Sequence, residues 1–225
     1  MVVVVYDLDE TLLCTHAFTP LLRQVDVDTL SGWSWWQHCL RPGVQEVMHQ
    51  PHDIIIYTDS SVDTALVRVK AMNVPHLKAL VTADAVVDWL DSHQRVRTRN
   101  LLTDGKDLKM LEQSVYGEER RMIFFDDRPT DMIKFDPLRH NVYRIQQFIP
   151  LDPPPLITIA QELNVELTDE LRTECIRHEK SEQGRLKEEQ PVVSEDSVKS
   201  LFDTISIVRC YYGAPFGSVT SSLMF

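Results

Sequence analysis

The sequence predicts an α/β fold in which a central parallel β-sheet is flanked by helices. Three short apolar runs, at residues 2–5, 54–58 and 122–125, are typical of buried parallel strands. Stretches with helical periodicity separate these runs, and strands that alternate with helices indicate a parallel sheet. The chain has 225 residues, 43% of them hydrophobic, which is enough for one such core and a tail.

The first apolar run leads directly into Asp-Leu-Asp-Glu-Thr at residues 7–11. Because side chains alternate along an extended segment, Asp7 and Asp9 should point the same way at the carboxyl end of the strand, where open α/β sheets bind ligands. Two carboxylates this close repel each other, and Mg²⁺ is a cation that fits between them. The motif predicts phosphoryl transfer through an aspartate, and the alternative is a solvated turn after a strand.

After Thr11 we expect an extended segment that forms a small β-hairpin inserted behind the first strand. Turn signals occur at Asp28 and at Ser31 and Gly32, and aromatic residues follow them. These aromatic residues are Trp33, Trp35 and Trp36. Their rings should anchor the hairpin to the core, and the alternative is an aromatic wall for a proline-containing peptide.

A short helix should begin at Pro42, which suits a first helical turn, and should end before Pro51. The second apolar run is predicted to be a central parallel strand that ends at Thr58. Ser60 or Ser61 can cap the next helix, which has a sheet-facing stripe at helical spacing. The stripe consists of Val62, Ala65, Leu66 and Val69.

Residues 77–82 are an ambiguous candidate for a third strand, and the polar residues 88–104 are predicted to be irregular. Lys106 should open a helix that Gly117 closes. The third apolar run then gives another buried strand, and one more strand is expected at residues 141–148.

The chain divides by composition into four parts. We expect a core over residues 1–150, a helical extension over residues 151–177, a charged linker over residues 178–197 and an apolar tail over residues 198–225. The tail should pack on the core of the chain itself. The alternative is that the tail, or the hairpin, binds a protein partner.

Three of the predicted strands end in polar residues of the kind that phosphate chemistry needs, and the carboxyl ends of parallel strands meet at one edge of the sheet. These residues are Asp7 and Asp9, Thr58, and Asp126 and Asp127. Lys106 adds the positive charge that a phosphoryl group requires, with Lys78 and Lys109 as alternatives.

This ordered set resembles the four motifs of the haloacid dehalogenase superfamily, whose members transfer phosphoryl groups through an aspartyl-phosphate. Residues 40–44, 57–60 and 106–108 are similar to the FCP/SCP branch, which comprises phosphatases of the RNA polymerase II carboxy-terminal domain and of the NLI-interacting factor type. The resemblance covers residues 2–149 and implies a Rossmann-like core without a large cap.

The resemblance implies a role for each residue of the set. Asp7 would be the nucleophile and a metal ligand, and Asp9 would be the general acid and then the base. Thr58 would bind phosphate oxygens, and Lys106 would bridge the phosphate and Asp7. The other ligands of a Mg²⁺ ion would be Asp126, Asp127 and the backbone carbonyl of Asp9.

Two positions depart from the pattern of this branch. Asp59 follows Thr58 where alanine is usual, which adds an acid near an anionic substrate, and Thr64 stands about where a tyrosine is common. The segment that ends in Asp126 and Asp127 also resembles small magnesium-dependent phosphatases of the same superfamily.

The resemblance implies a phosphatase of phosphoserine or phosphothreonine in proteins, such as the RNA polymerase II carboxy-terminal domain. The intervals from Thr11 to Arg41 and from Thr58 to Lys106, about 30 and about 48 positions, are too short for a large closing cap. An open cleft favours a phosphorylated protein or peptide as substrate. The alternatives are a sugar-type phosphatase of small molecules and a non-catalytic protein-binding module of the same fold.

The formal net charge of -11 argues against sequence-independent binding of nucleic acid and against a role at a membrane surface. Four cysteines without a CxxC pair or zinc-type spacing favour reduced thiols in an intracellular protein. Because no stretch approaches a membrane span and the first residues do not suit a signal peptide, we expect a soluble protein. It would lie in the nucleus or the cytoplasm, the nucleus by resemblance alone.

Eight histidines are scattered along the chain, and we assign none of them to a metal. Ordinary surface or capping roles are expected for them. Glu10, inside the acidic motif, is expected to be only a solvent-facing neighbour of the site.

Overall fold

The computed structural model describes residues 2–26, 38–90, 93–98, 106–127, 133–145, 147–148, 150 and 154–188. Its strands are β1 (Val2–Tyr6), β2 (Ile54–Tyr57), β3 (Leu77–Val81), β4 (Ala85–Leu90), β5 (His93–Thr98), β6 (Lys106–Asp107), β7 (Arg121–Asp126), β8 (Ile133–Lys134) and β9 (His140–Arg144). Its helices are α1 (Thr19–Leu22), α2 (Val44–Met48), α3 (Val62–Met72), α4 (Leu108–Val115), α5 (Leu156–Glu162) and α6 (Asp169–Glu188).

The main sheet has the strand order β5-β4-β3-β2-β1-β7-β9, and β1 is the middle strand of its parallel part, β3 to β9 in that order. Strand β1 pairs in parallel with β2 and β7, so that Val4 lies between Ile54 and Ile123. The pairs β2–β3 and β7–β9 are also parallel, whereas β4 and β5 are antiparallel additions at one edge. The predicted central parallel sheet flanked by helices is therefore confirmed.

Both faces of the central strands are covered. Val4 and Ile56 pack on one face with buried side chains of α3, α5 and α6. Val5 and Ile55 pack on the opposite face with Leu108 of α4. A strand that is buried on both faces must be apolar at successive positions, which explains the uninterrupted runs in β1 and β2.

The strands predicted at residues 54–58 and 122–125 form β2 and β7, and the candidate third strand forms β3. Helix α4 begins at Leu108 because the Asp107 carboxylate accepts hydrogen bonds from N–H groups of its first turn. Lys106 therefore lies in β6, just before the cap, rather than in the helix.

The prediction that residues 88–104 are irregular is wrong for the described part of that segment. Strand β4 continues to Leu90, and β5 forms an antiparallel hairpin with it in which Val86 lies opposite Arg97. Backbone hydrogen bonds hold an edge hairpin and require few apolar side chains, so the polar composition gave little sign of these strands.

The extended segment predicted after Thr11 is wrong for residues 16–22, which form a 3-10 turn and then α1. Pro20 suits the first turn of α1, and the side chains of Leu21 and Leu22 are buried. The predicted β-hairpin falls on residues that the structure does not describe, among them Trp33, Trp35 and Trp36.

The carboxyl-terminal helices pack onto the sheet. Ile159 of α5 and Leu171 and Cys175 of α6 belong to the same buried cluster as side chains of β1. Helix α6 continues to Glu188, so the first residues of the expected linker are helical. The apolar tail over residues 198–225 lies outside the described residues, and the division into four parts stays a prediction. Among the described helices, none is long and apolar enough to span a membrane.

A buried polar network lies at the amino ends of β7 and β9. Oε1 of Glu112 accepts a hydrogen bond from the N–H of Arg120 at 2.9 Å and lies 2.8 Å from Nε2 of His140. Nδ1 of His140 accepts a hydrogen bond from the N–H of Asp136 at 3.1 Å. Since Nδ1 is an acceptor, Nε2 carries the hydrogen and donates it to Glu112.

We predict that Glu112→Ala lowers the free energy of unfolding by about 2–4 kcal/mol, because it leaves the buried His140 side chain and the partly buried N–H of Arg120 without their acceptor. Urea unfolding followed by circular dichroism measures this change. The control is Glu118→Ala, which removes an exposed partner of Arg120 and should change stability by less than about 0.5 kcal/mol. Equal losses in the two variants would contradict the importance of the buried network.

Candidate active site

The carboxyl ends of β1, β2 and β7 lie side by side because these strands are parallel neighbours. Asp7 follows β1, Thr58 follows β2 and Asp127 follows β7. A cavity of about 400 Å³ opens at this edge, and every described residue that lines it is polar or charged. The structure thus brings the predicted strand-end residues together at one place.

Lys106 is buried, with 2% of its side chain exposed, and contacts two of the predicted site residues. Its Nζ donates hydrogen bonds to Oδ1 of Asp7 at 2.5 Å and to Oδ2 of Asp126 at 2.6 Å. Its backbone is fixed on both sides, since β6 pairs with β8 and Asp107 caps α4. One ammonium group is therefore shared by two buried carboxylates.

Asp7, Asp126 and Asp127 are buried, and each offers a carboxylate oxygen within 4.8 Å of the others. Burial raises the pKa of Asp7 well above its usual value, and Lys106 opposes this effect. Burial also raises the pKa of Asp127 to about 6, with repulsion from Glu10 and Asp126 adding to it. A cluster of oxygen donors with this excess of negative charge fits a hard divalent cation such as Mg²⁺.

Thr11, the last residue of the acidic motif, connects the loops after β1 and β7. Its hydroxyl lies 3.2 Å from Oδ2 of Asp7 and 3.1 Å from Oδ1 of Asp127, and it accepts a hydrogen bond from the N–H of Asp127. The Thr11 carbonyl accepts a hydrogen bond from Nη1 of Arg41 at 3.0 Å. Burial lowers the pKa of Arg41 to about 10, an effect that Asp127 opposes.

Asp9 faces the cavity in a different environment, with 25% of its side chain exposed. Its Oδ2 accepts hydrogen bonds from the hydroxyls of Thr58 at 2.9 Å and Ser60 at 2.8 Å. Its Oδ1 forms an ion pair with Arg68 of α3. Hydrogen-bond donors thus hold the Asp9 carboxylate, and the metal contact expected from its backbone carbonyl stays a prediction.

The prediction that Glu10 faces solvent is wrong, because only 2% of this residue is exposed. Its φ of 60° is in the left-handed region, in a tight turn where its N–H donates to the carbonyl of Leu13 at 2.6 Å. Its own carbonyl accepts the N–H of Phe148 at 2.7 Å. These hydrogen bonds stabilise a backbone conformation that is strained for a residue with a side chain. The turn places the Thr11 hydroxyl beside the carboxylate of Asp7.

Sequence reasoning missed several residues that the fold adds to the cavity wall. Arg68 comes from α3, Arg23 from the end of α1, and His178 from α6, for which a surface or capping role was expected. Asp59 and Thr64, the two positions that depart from the pattern of the branch that the sequence resembles, also line the cavity. Because only tertiary packing brings α1 and α6 to the strand ends, no local sequence signal points to Arg23 or His178.

A family model described as NLI interacting factor-like phosphatase matches residues 2–168. The matched segment covers most of the chain and contains all of the site residues described above except His178. A search of the curated proteins finds no match to this chain.

Opposite effects on stability are expected from neutralising the two adjacent aspartates. Asp127→Asn should raise the stability of the metal-free protein by about 1–3 kcal/mol, because it removes a buried charge and its repulsion from Glu10 and Asp126 and keeps an acceptor for Thr11. Asp126→Asn should lower stability, because it removes a charged partner of the buried Lys106. Urea unfolding in EDTA measures both changes.

Adding Mg²⁺ tests whether the same cluster of carboxylates binds a cation. The ion should raise the melting temperature of the unaltered protein and have a smaller effect on Asp127→Asn, which has lost a ligand. If Asp127→Asn were less stable without metal and still responded fully to Mg²⁺, the cluster would not be a cation site.

Proposed function

The chain belongs to the NLI interacting factor-like phosphatase family, and on this premise we propose that it is a Mg²⁺-dependent phosphatase that works through a phosphorylated aspartate. The observation that carries the proposal is the contrast between two carboxylates of one motif. Asp7 is buried beside Lys106 in the acidic cluster, whereas Asp9 is held by hydroxyl groups and Arg68 at the cavity. The first environment suits a nucleophile and the second suits a proton carrier.

In the first step, a carboxylate oxygen of Asp7 attacks the phosphorus of the substrate. The bond from phosphorus to the ester oxygen breaks, and Asp9 gives its proton to the departing oxygen. Lys106 balances negative charge beside Asp7 during this transfer, and the Thr58 hydroxyl donates to a phosphoryl oxygen. The products are a phosphorylated Asp7, the free alcohol and an ionised Asp9.

In the second step, water attacks the phosphorus of the phosphorylated Asp7. Asp9 now takes a proton from the water, so that it returns to its starting protonation state. The bond between phosphorus and the Asp7 oxygen breaks, which releases inorganic phosphate and restores the carboxylate. Each residue therefore ends the cycle as it began.

A Mg²⁺ ion held by Asp7, Asp126 and Asp127 would neutralise phosphoryl oxygens and part of the charge of the cluster. The carboxylate oxygens of these residues are close enough to share one ion. Burial, with repulsion from neighbouring carboxylates adding to it, raises the pKa values of Asp7 and Asp127, and a divalent cation would relieve this repulsion. Thr11 contacts Asp7 and Asp127, which follow β1 and β7, and Arg41 holds the Thr11 carbonyl, so both residues help to fix these two ligands.

The proposed substrate is phosphoserine or phosphothreonine in a protein, with the RNA polymerase II carboxy-terminal domain as the example that the family suggests. The short intervals between the motifs, which leave no room for a large cap, support a bulky substrate. One observation favours the alternative of a sugar-type substrate, namely that all described residues of the cavity wall are polar or charged. A panel of phosphopeptides and sugar phosphates, compared by kcat/KM, separates the two.

We predict that Asp7→Asn lowers Mg²⁺-dependent hydrolysis of 4-nitrophenyl phosphate by at least about 10³-fold, because the nucleophile is lost. Release of 4-nitrophenol measures the rate, and EDTA should abolish turnover by the unaltered protein. The matched control is Asp63→Asn, an exposed aspartate on α3 that does not line the cavity. If the unaltered protein with Mg²⁺ hydrolyses neither 4-nitrophenyl phosphate nor phosphopeptides, the proposed activity is wrong.

A second prediction concerns Asp59, the exposed carboxylate at the cavity that replaces the usual alanine. Asp59→Ala should lower KM for phosphopeptides about 2- to 5-fold at low ionic strength, because it removes repulsion of an anionic substrate. The difference should shrink in high salt, which screens exposed charges. Asp63→Ala is the control, and an equal decrease in KM there would mean that net charge, not position, is responsible.

A further inference from the structure

Arg68 is a buried cation on a helix face that packs against the sheet. Only 2% of its side chain is exposed, and its neighbours on α3 include the buried Ala65 and Val69. An apolar side chain at this position would avoid the large cost of removing a guanidinium group from water. A buried arginine at this position therefore needs hydrogen-bond acceptors and an opposite charge close by that offset this cost.

Those partners lie on three segments of the cavity wall. Nη1 of Arg68 pairs with Oδ1 of Asp9 and donates to Oγ of Ser60 at 3.0 Å. Nη2 donates to Oγ1 of Thr19 on α1 at 3.1 Å. The planar guanidinium group is thus fixed at both of its terminal nitrogens, and it fixes Asp9 in turn.

The two oxygens of Asp9 are held from different sides. Oδ2 receives hydrogen bonds from Thr58 and Ser60, and Oδ1 receives the ion pair from Arg68. This arrangement prevents rotation of the carboxylate about its side-chain bonds. The position of the group that is to transfer a proton is therefore set before substrate arrives.

The Thr58 hydroxyl cannot donate a hydrogen bond to Asp9 and to the substrate at the same time. Its hydroxyl has one hydrogen, which is donated to Asp9 in this structure. When a phosphoryl oxygen takes that hydrogen, Asp9 loses one of its restraints. Arg68 and Ser60 then remain to hold it, and Arg68 alone contacts Oδ1 among these three donors.

We propose that Arg68 is a positioning residue that keeps the Asp9 carboxylate aligned for proton transfer while Thr58 binds phosphate. This inference rests on the proposed function and adds a residue to it. Arg68 acts through Asp9 and takes no part in bond making or breaking. Its removal should therefore harm those steps that need Asp9 and spare the step that does not.

The experiment compares substrates whose leaving groups differ in their need for a proton. Arg68→Met should lower kcat/KM for a phosphoserine peptide about 10- to 100-fold, because its alkoxide leaving group requires Asp9. For 4-nitrophenyl phosphate, whose leaving group departs without a proton, kcat/KM should fall less than about 3-fold. The value of kcat should fall for both, since hydrolysis of phosphorylated Asp7 needs Asp9 as base.

Two further measurements complete the test. Acid-quenched Arg68→Met should contain more phosphorylated Asp7 than the unaltered protein, as seen by mass spectrometry, and guanidinium ion added at low concentration should restore part of the lost rate. The control is Arg139→Met, which removes an arginine paired with Glu112 and Asp136 away from the cavity. It should leave the ratio of the two kcat/KM values unchanged.

Equal losses of kcat/KM for both substrates, without accumulation of phosphorylated protein, would show that Arg68 only stabilises the fold and would overturn the inference. A lack of turnover by the unaltered protein would instead refute the proposed function. In that event, unfolding of Arg68→Met, Asp9→Asn and the double variant still tests the contact. Additive changes in stability would contradict the coupling on which the inference depends.

Discussion

The ammonium group of Lys106, placed between Asp7 and Asp126, is the interaction on which the rest of the site depends. Three carboxylates gathered inside a protein repel one another and lose hydration, so they need compensating positive charge. Lys106 supplies part of that charge from a backbone that β8 and the cap of α4 hold in place. The remaining negative charge is what makes the cluster suited to a divalent cation.

Asp7 and Asp9 lie two positions apart, yet the fold gives them distinct surroundings. Asp7 remains in line with β1 and faces Lys106 and the other buried carboxylates. Asp9 is followed by the tight turn at Glu10, and its side chain is held by donors from the segment after β2 and from α3. Two carboxylates in unlike environments can divide nucleophilic and proton-transfer roles, which two equivalent groups could not do as readily.

The sequence was most informative where local composition determines structure. The apolar runs identified β1, β2 and β7, and the order of parallel strands was enough to expect Asp7, Thr58 and Asp127 at one edge. The edge hairpin of β4 and β5 was missed because backbone pairing, not apolar patterning, holds it. Arg68 was missed for a different reason: its partners are Asp9, Ser60 and Thr19, and no local rule links α3 to α1.

The remaining part of the cavity wall comes from elements outside the central strands. Asp7, Thr58 and Lys106 lie within the segment that the family model matches, whereas His178 lies beyond it on α6. Helix α6 packs against α1, which brings His178 and Arg23 to the same cavity. In a chain with a net charge of -11, the guanidinium group of Arg23 adds a positive charge at the cavity. Residues of α1 and α6 can therefore change the lining of the cavity while the residues at the strand ends stay the same.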